Sequence, residues 1–173
     1  FPFNSREGDE YYKAMGAAAN FAFANRQLLT HNLRKSIRTV IPDIELELIY
    51  DLCHNIAKKE RLYLDKSSKT KNEVLVHRKG ATRLSPGGIA IIPGSMGTSS
   101  YLVRSANSQT TRLSFQSVAH GAGRSMGRRE AKRTINKQKH QNKMKNIKAV
   151  SASGDNLLDE SPLAYKEIDT VID

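Results

Sequence analysis

Tryptophan is absent from these 173 residues and cysteine occurs once. A single thiol, Cys53, cannot close an internal disulfide, so the chain is not a cystine-stapled scaffold; with no secretory leader, it fits a reducing, cytoplasmic location. Aromatic residues make up 6% of the chain and mean hydropathy is −0.55. No stretch approaches the roughly 18 consecutive apolar residues that span a bilayer, which excludes a transmembrane helix and leaves no membrane partner expected. The first ten residues, Phe1 to Glu10, lack the basic n-region, apolar h-region and cleavage pattern of a signal peptide. They also lack an initiator methionine, as expected of a processed or cut chain or of a piece of something longer. Acidic residues are in short supply, 17 against 28 Lys and Arg, which leaves a formal charge of +11. What remains, 38% hydrophobic and 26% charged, is enough for one core.

The excess of positive charge is not spread evenly. Residues 1–123 carry +7, residues 124–148 carry +9 with ten cations against one acid, and residues 149–173 carry −5. The middle block, from Arg124 through Arg128, Arg129, Lys132, Arg133, Lys137, Lys139, Lys143 and Lys145 to Lys148, has the electrostatic footprint of nucleic-acid contact. A solvated helix face or a basic loop would carry the same composition. The charge pattern therefore divides one body into a basic segment 124–148 and an acidic tail 149–173.

Apolar and small residues at Ala14, Ala17, Ala18, Phe21 and Leu28 recur at spacings of three, four and seven, which predicts a helix from Ser5, its N-cap, to about Ile41. Its small-residue stripe suits a helix packed inside a larger body, and Pro42 ends it. Alternation of Ile44, Leu46 and Leu48 with Glu45 and Glu47 predicts a half-buried strand over Ile44 to Ile49. Further strands are expected at Val74 to Val76, Ile89 to Ile92, Tyr101 to Val103 and Leu113 to Phe115, with Lys66 to Asn72 a solvated loop. The acidic tail around Asp155 to Pro162 reads as a loop that turns helical from Leu163. The fold class is α+β, mixed strands with packed helices.

Four short stretches combine polar chemistry with the ends of these strands, where loops carry function. In Asp51-Leu52-Cys53-His54-Asn55, His54 suits a borderline metal ion and Asn55 could hydrogen-bond a phosphate or a base; a satisfied core histidine is the plain alternative. Val76 to Arg83 offers the cations Arg78, Lys79 and Arg83 beside Gly80, either to grip phosphates or as an exposed basic turn. Pro93-Gly94-Ser95-Met96-Gly97-Thr98-Ser99-Ser100 could converge amides and hydroxyls on an anion, or simply turn the chain between strands; it lacks the Gly-Lys-Ser/Thr ending of a Walker A loop. In Ala119-His120-Gly121-Ala122-Gly123-Arg124 a histidine sits among small residues, so a substrate could approach a ring nitrogen. Neutral imidazole is a competent nucleophile toward phosphorus, and Arg124 and Arg128 could neutralise the charge that develops.

Taken in order, these segments resemble the RtcB family of RNA-splicing ligases over almost the entire chain. The resemblance rests on Ala17-Ala18-Ala19-Asn20-Phe21-Ala22-Phe23-Ala24-Asn25-Arg26, His54-Asn55-Ile56-Ala57-Lys58, His77-Arg78-Lys79-Gly80-Ala81-Thr82, Pro93-Gly94-Ser95-Met96-Gly97, His120-Gly121-Ala122-Gly123-Arg124, and Asp159-Glu160-Ser161-Pro162 with Ala164-Tyr165-Lys166. It implies an RtcB-like fold and a GTP- and Mn(II)-dependent ligase that joins RNA 3′-phosphate or 2′,3′-cyclic phosphate ends to 5′-hydroxyl ends. The RNA would be tRNA halves or broken RNA, in tRNA splicing or RNA repair. By the same resemblance His120 is the nucleophile that becomes guanylylated. His54 is a manganese ligand, and Asn55, Pro93, Gly94, Ser95, Met96, Ser100, Gly121, Ala122 and Gly123 line the guanylate site. Arg124, Arg128 and Lys79 lie near the reacting phosphates, and an archease-like activator is a further expected partner.

The resemblance also implies what is missing. Family members carry additional metal ligands, among them a cysteine, an aspartate and further histidines, in a portion preceding the one matched, and a terminal lysine after it; neither Cys53 nor Lys166 fills those roles. The chain is thus expected to be a C-terminal portion of one catalytic domain, inactive by itself. A non-catalytic basic RNA-binding protein, or an inactive paralogue that retains the motifs, is the alternative.

Overall fold

The computed structural model describes residues 1–106, 108–151 and 157–173. The chain divides into two compact units, Phe1–Lys79 and Gly80–Asp173.

In the first unit the expected long helix is present as α1, Arg6–Arg38. The Ser5 side chain accepts a hydrogen bond from the Gly8 amide at 3.0 Å, an N-cap that satisfies one of the first orphan donors. Glu7 and Asp9 in the first turn and Lys35 and Arg38 in the last complement the helix dipole. Only Gly8 and Ala19 of this helix are buried, and Phe21 is 76% exposed. The expected strand at Ile44 to Ile49 does not form: residues 44–50 carry no regular structure. Alternation supplies a strand with faces but not with a neighbour, and here the backbone is held by arginines of α1 instead. Arg34 Nε donates to the Leu46 carbonyl at 2.8 Å, Arg38 Nε to that of Ile44 at 3.4 Å, and Arg26 pairs with Asp51 at 2.6 Å.

Strands β1 (Asn55–Leu62) and β2 (Asn72–Lys79) then pair antiparallel, from Asn55 opposite Lys79 to Leu62 opposite Asn72. β2 contains the expected Val74 to Val76, whereas β1, with Lys58, Lys59, Glu60 and Arg61 in it, has too little apolar alternation to announce itself. Between the strands, Asp65 caps its own turn: its carboxylate accepts from the amides of Ser67 and Ser68, each at 2.7 Å, and from the Ser67 hydroxyl.

The second unit is built from two short antiparallel pairs. β3 (Ala81–Arg83) pairs with β6 (Ser117–Ala119), and β4 (Ile89–Ile92) with β5 (Tyr101–Arg104). The expected strand at Leu113 to Phe115 is instead the end of helix α2, Gln109–Leu113. Phe115 and Gln116 follow in left-handed conformations with φ near 50°, and the chain regains an extended path only at Ser117. Helices α3 (Arg128–Thr134) and α4 (Lys137–Met144) take up the basic segment. In the tail, Asp155 and Asn156 lie outside the described residues. Leu158–Glu160 and Pro162–Ala164 form 3₁₀ turns, and the final helix α5 spans Asp169–Ile172 rather than starting at Leu163. Ile92, Ala122 and Ile168 make the centre of this unit, with Tyr101, Val103, Val118, Val171 and Ile172 packed on them. Ala122 belongs to the histidine loop, so that loop is nailed to the core by its own middle residue.

Candidate active site

The motif residues gather into one cluster in each unit. In the first, the β1–β2 register sets Asn55 opposite Lys79, and Lys79 Nζ donates to Asn55 Oδ1 at 3.3 Å. His54 stands exposed immediately before Asn55, at the start of β1 rather than at the end of a strand. Arg78, counted among the phosphate-gripping cations, is turned inward: it is 3% exposed and makes a bidentate pair with Glu60, 7% exposed, at 2.5 and 3.0 Å. A buried guanidinium already matched by a carboxylate has no surface to offer an RNA phosphate. Lys79, next to it but on the opposite face of the strand, stays exposed.

In the second unit the glycine-rich loop and the histidine loop lie side by side. The Ala122 amide donates to the Pro93 carbonyl at 2.9 Å, and the His120 amide to that of Gly80 at 3.3 Å. Gly121 is placed so that a Cβ would sit 3.0 Å from the Pro93 carbonyl oxygen, a tight contact that would require the Pro93 loop to give way slightly. His120 is half-buried at the end of β6. The serine-rich loop closes on itself: the Gly94 amide donates to Ser100 Oγ at 3.3 Å and the Ser95 amide to Thr98 Oγ1 at 2.7 Å. Two of its amides are thus engaged by its own hydroxyls, which fixes the turn between β4 and β5. Its outer turn, at Gly97 with φ +77°, packs against Ile147, which would collide with a Cβ there. Nothing in the sequence marked Ile147 as a neighbour of this loop.

Arg124 is held from four directions. Its Nε donates to the Met126 carbonyl at 3.0 Å, Nη1 to the Tyr165 hydroxyl at 3.1 Å and to Glu160 Oε2 at 3.3 Å, and Nη2 to the Asp159 carbonyl. The guanidinium also lies 4.9 Å from the centre of the Tyr165 ring. Arg128 Nε reaches the other Glu160 oxygen at 2.9 Å, and the Tyr165 hydroxyl donates to Glu160. Glu160 is thus the hub. Its carboxyl is held below the usual range, first by the Tyr165 hydrogen bond and then by the two arginines, while burial and the hydrogen bond to Glu160 push the Tyr165 phenol up. The Asp159-Glu160 and Tyr165 residues carried the resemblance in the sequence, but their role as the clamp on Arg124 is visible only in three dimensions.

Among the described residues no group of three or more His, Cys, Asp or Glu side chains could hold a metal ion. His54 offers one imidazole, one of the several ligands a divalent cation takes. Nor, among the described residues, is any helix long and apolar enough to cross a membrane.

A mixed α+β fold, a histidine on a glycine-flanked loop beside a second glycine-containing loop, and a basic helical segment are the features the fold brings together. Comparison with known proteins places it further. The tRNA-splicing ligase RtcB family profile matches residues 1–173, and the chain belongs to that family. It is 42% identical to the tRNA-splicing ligase RtcB of Thermococcus kodakarensis over 190 residues, covering 99% of this chain and 39% of the relative. It is likewise 43% identical to the protein of that name from Nanoarchaeum equitans over 192 residues, with the same coverage of each. The chain thus spans about two fifths of the length of these relatives.

Proposed function

We propose that these residues form the nucleotidyl-transfer portion of an RNA ligase that uses GTP and Mn(II) to join an RNA 3′-phosphate or 2′,3′-cyclic phosphate end to a 5′-hydroxyl end, in tRNA splicing or RNA repair. The observation that carries the reading is the fixed adjacency of the two loops in the second unit: Ala122 tied to Pro93 at 2.9 Å, with His120 two residues away and itself tied to Gly80. A guanylate resting on the Pro93 to Ser100 loop would present its α-phosphorus beside the His120 imidazole.

The chemistry follows from that placement. A neutral ring nitrogen of His120 forms a P–N bond to the α-phosphorus of GTP as the bond to pyrophosphate breaks. The phosphoramidate passes its guanylyl group to the RNA 3′-phosphate, which frees His120. Attack by the 5′-hydroxyl then forms the new phosphodiester and releases GMP. Arg124, pre-oriented by Glu160, Asp159 and Tyr165, supplies fixed positive charge near that chemistry without reorganising during the reaction. Asn55, Lys79 and Arg128 are assigned to the phosphates, and Gly121 and Gly123 to close approach of the guanylate. The manganese requirement comes with the family, with His54 as this chain's contribution to its coordination. RNA ends and GTP are the substrates, and an archease-like protein is the proposed activator.

The test is covalent labelling. The protein expressed from its complete gene, incubated with α-labelled GTP and Mn(II) and run on a denaturing gel, should carry label that survives alkali and is released by acid, as a phosphoramidate is. His120→Ala should remove the label. Label retained in that variant, or none in the wild type, would overturn the assignment and leave an RNA-binding protein without the transfer step.

A further inference from the structure

The ten cations of residues 124–148 look equivalent in the sequence, and the fold sorts them into two sets. Arg124 and Arg128 are engaged by Glu160, and Lys132 Nζ lies 3.6 Å from Asp159 Oδ2. These two carboxylates serve all three. Arg129, Arg133, Lys137, Lys139, Lys143, Lys145 and Lys148 pair with no carboxylate among the described residues, and every one of them is exposed.

Their outward direction is fixed by what the two helices bury. α3 is anchored by Ala131, with no exposed surface, and α4 by His140, 5% exposed, whose Nδ1 lies 2.9 Å from Ser161 Oγ. Asn136 caps α4 by accepting from the Lys139 amide at 3.1 Å. Lys139 and Lys143 are therefore successive neighbours one turn apart on a helix whose contact face is already chosen. Like charges at that spacing repel, and no acid among the described residues pairs with them. A surface of this kind is stabilised when a polyanion neutralises it.

The same residues say what kind of polyanion. α4 reads Lys-Gln-Lys-His-Gln-Asn-Lys-Met, with no leucine or aromatic residue to insert into a lipid interface. Between Arg124 and Val150 there is no Phe, Tyr or Trp on which a base could stack. Charge without stacking or insertion fits a phosphate backbone contacted irrespective of base sequence. We propose that the outward face of α3 and α4, through Arg129, Arg133, Lys137, Lys139, Lys143 and Lys145, is a docking surface for the backbone of the RNA strand being joined, away from its reacting end. This rests on the ligase reading above and assigns the strand's body to a surface separate from the Glu160 clamp.

The test uses the protein expressed from its complete gene and a fluorescent 20-nucleotide single-stranded RNA ending in a 3′-hydroxyl, which offers no phosphate end to the active site. Anisotropy titrations run from 50 to 400 mM KCl. Changing Lys137, Lys139, Lys143 and Lys145 together to Gln should weaken binding at least about tenfold at 100 mM salt and make the slope of log K against log salt shallower by up to about 2.8, since each single-strand phosphate contact contributes about 0.7. The same four positions changed to Arg should bind as wild type, which separates lost charge from lost folding. Changing Lys35, Lys66, Lys69 and Lys71 to Gln removes equal charge elsewhere and should alter affinity less than about twofold.

Unchanged affinity and slope in the first variant, or an equal loss in the last, would overturn the surface. Competition by poly-glutamate as effective as by unlabelled RNA would transfer it to an acidic polypeptide. Failure here is distinct from failure of the ligase reading, because wild-type labelling by GTP is scored separately. Labelled protein whose RNA affinity ignores these lysines keeps the ligase and loses the surface. Unlabelled protein whose affinity depends on them keeps a phosphate-binding face and loses the ligase.

Discussion

Glu160 accepts from Arg124, Arg128 and Tyr165, so its protonation state couples three side chains to folding. Its folded carboxyl is lowered from the ordinary 4.5, chiefly by the Tyr165 hydroxyl and then by the arginines. The stability it contributes is therefore present above that ordinary value and lost as pH falls through the lowered one. Tyr165 is raised from 10.0, by burial first and by its hydrogen bond to Glu160 second. Its contribution is present below 10.0 and lost as pH rises through the raised value. Both shifts leave the proton on the phenol and the charge on the carboxylate between these limits. Glu160→Gln should cost about 1–2 kcal/mol near neutral pH, a figure tempered by its partial exposure. In thermal melts the gap between variant and wild type should then shrink as pH falls below the ordinary 4.5 and through the lowered value. A gap of constant size down to pH 3 would show that Glu160 acts through packing and not through its charge.

Elements differ in how openly the sequence announces them. α1 is legible because Ser5 caps it and small and apolar residues recur at helical spacing for nine turns. Ile44 to Ile49 carries a strand's alternation and yet is no strand, because pairing needs a second edge and the Arg34 and Arg38 side chains reach those carbonyls first. Ser117 to Ala119 is a strand written in small residues, legible only through its partner Ala81 to Arg83. The β1–β2 pair hides its main internal contact within charged residues, Arg78 on Glu60. Arg78→Ala should destabilise the chain by about 3–5 kcal/mol in urea unfolding, because it strands a buried carboxylate, whereas Arg78→Met with Glu60→Leu should recover most of the loss.

At the scale of the whole molecule, charge and apolar surface are both left uncovered. α1 exposes Phe21, Leu28, Leu29 and Leu33, each more than half accessible, at spacings of seven, one and four that share a broad helix face. The 173-residue chain alone should therefore enhance the fluorescence of an apolar dye at low micromolar concentration. Its mass by light scattering should rise with concentration, and Phe21→Ser with Leu28→Ser and Leu33→Ser should suppress both. A monomeric mass and no dye signal would show that this face is satisfied in solution.

By itself the sequence determined the segregation of charge into a basic block and an acidic tail, the long capped helix, and the residues that mark the family, because composition, local periodicity and contiguous motifs are properties of neighbouring positions. Tertiary structure alone decided which cations remain available to a ligand. Arg78 is claimed by a carboxylate 18 positions away, and Arg124 by groups 36 and 41 positions away. Lys139 and Lys143 are claimed by none among the described residues. Such pairings depend on which distant side chains folding brings within hydrogen-bond reach, and no local pattern encodes that distance.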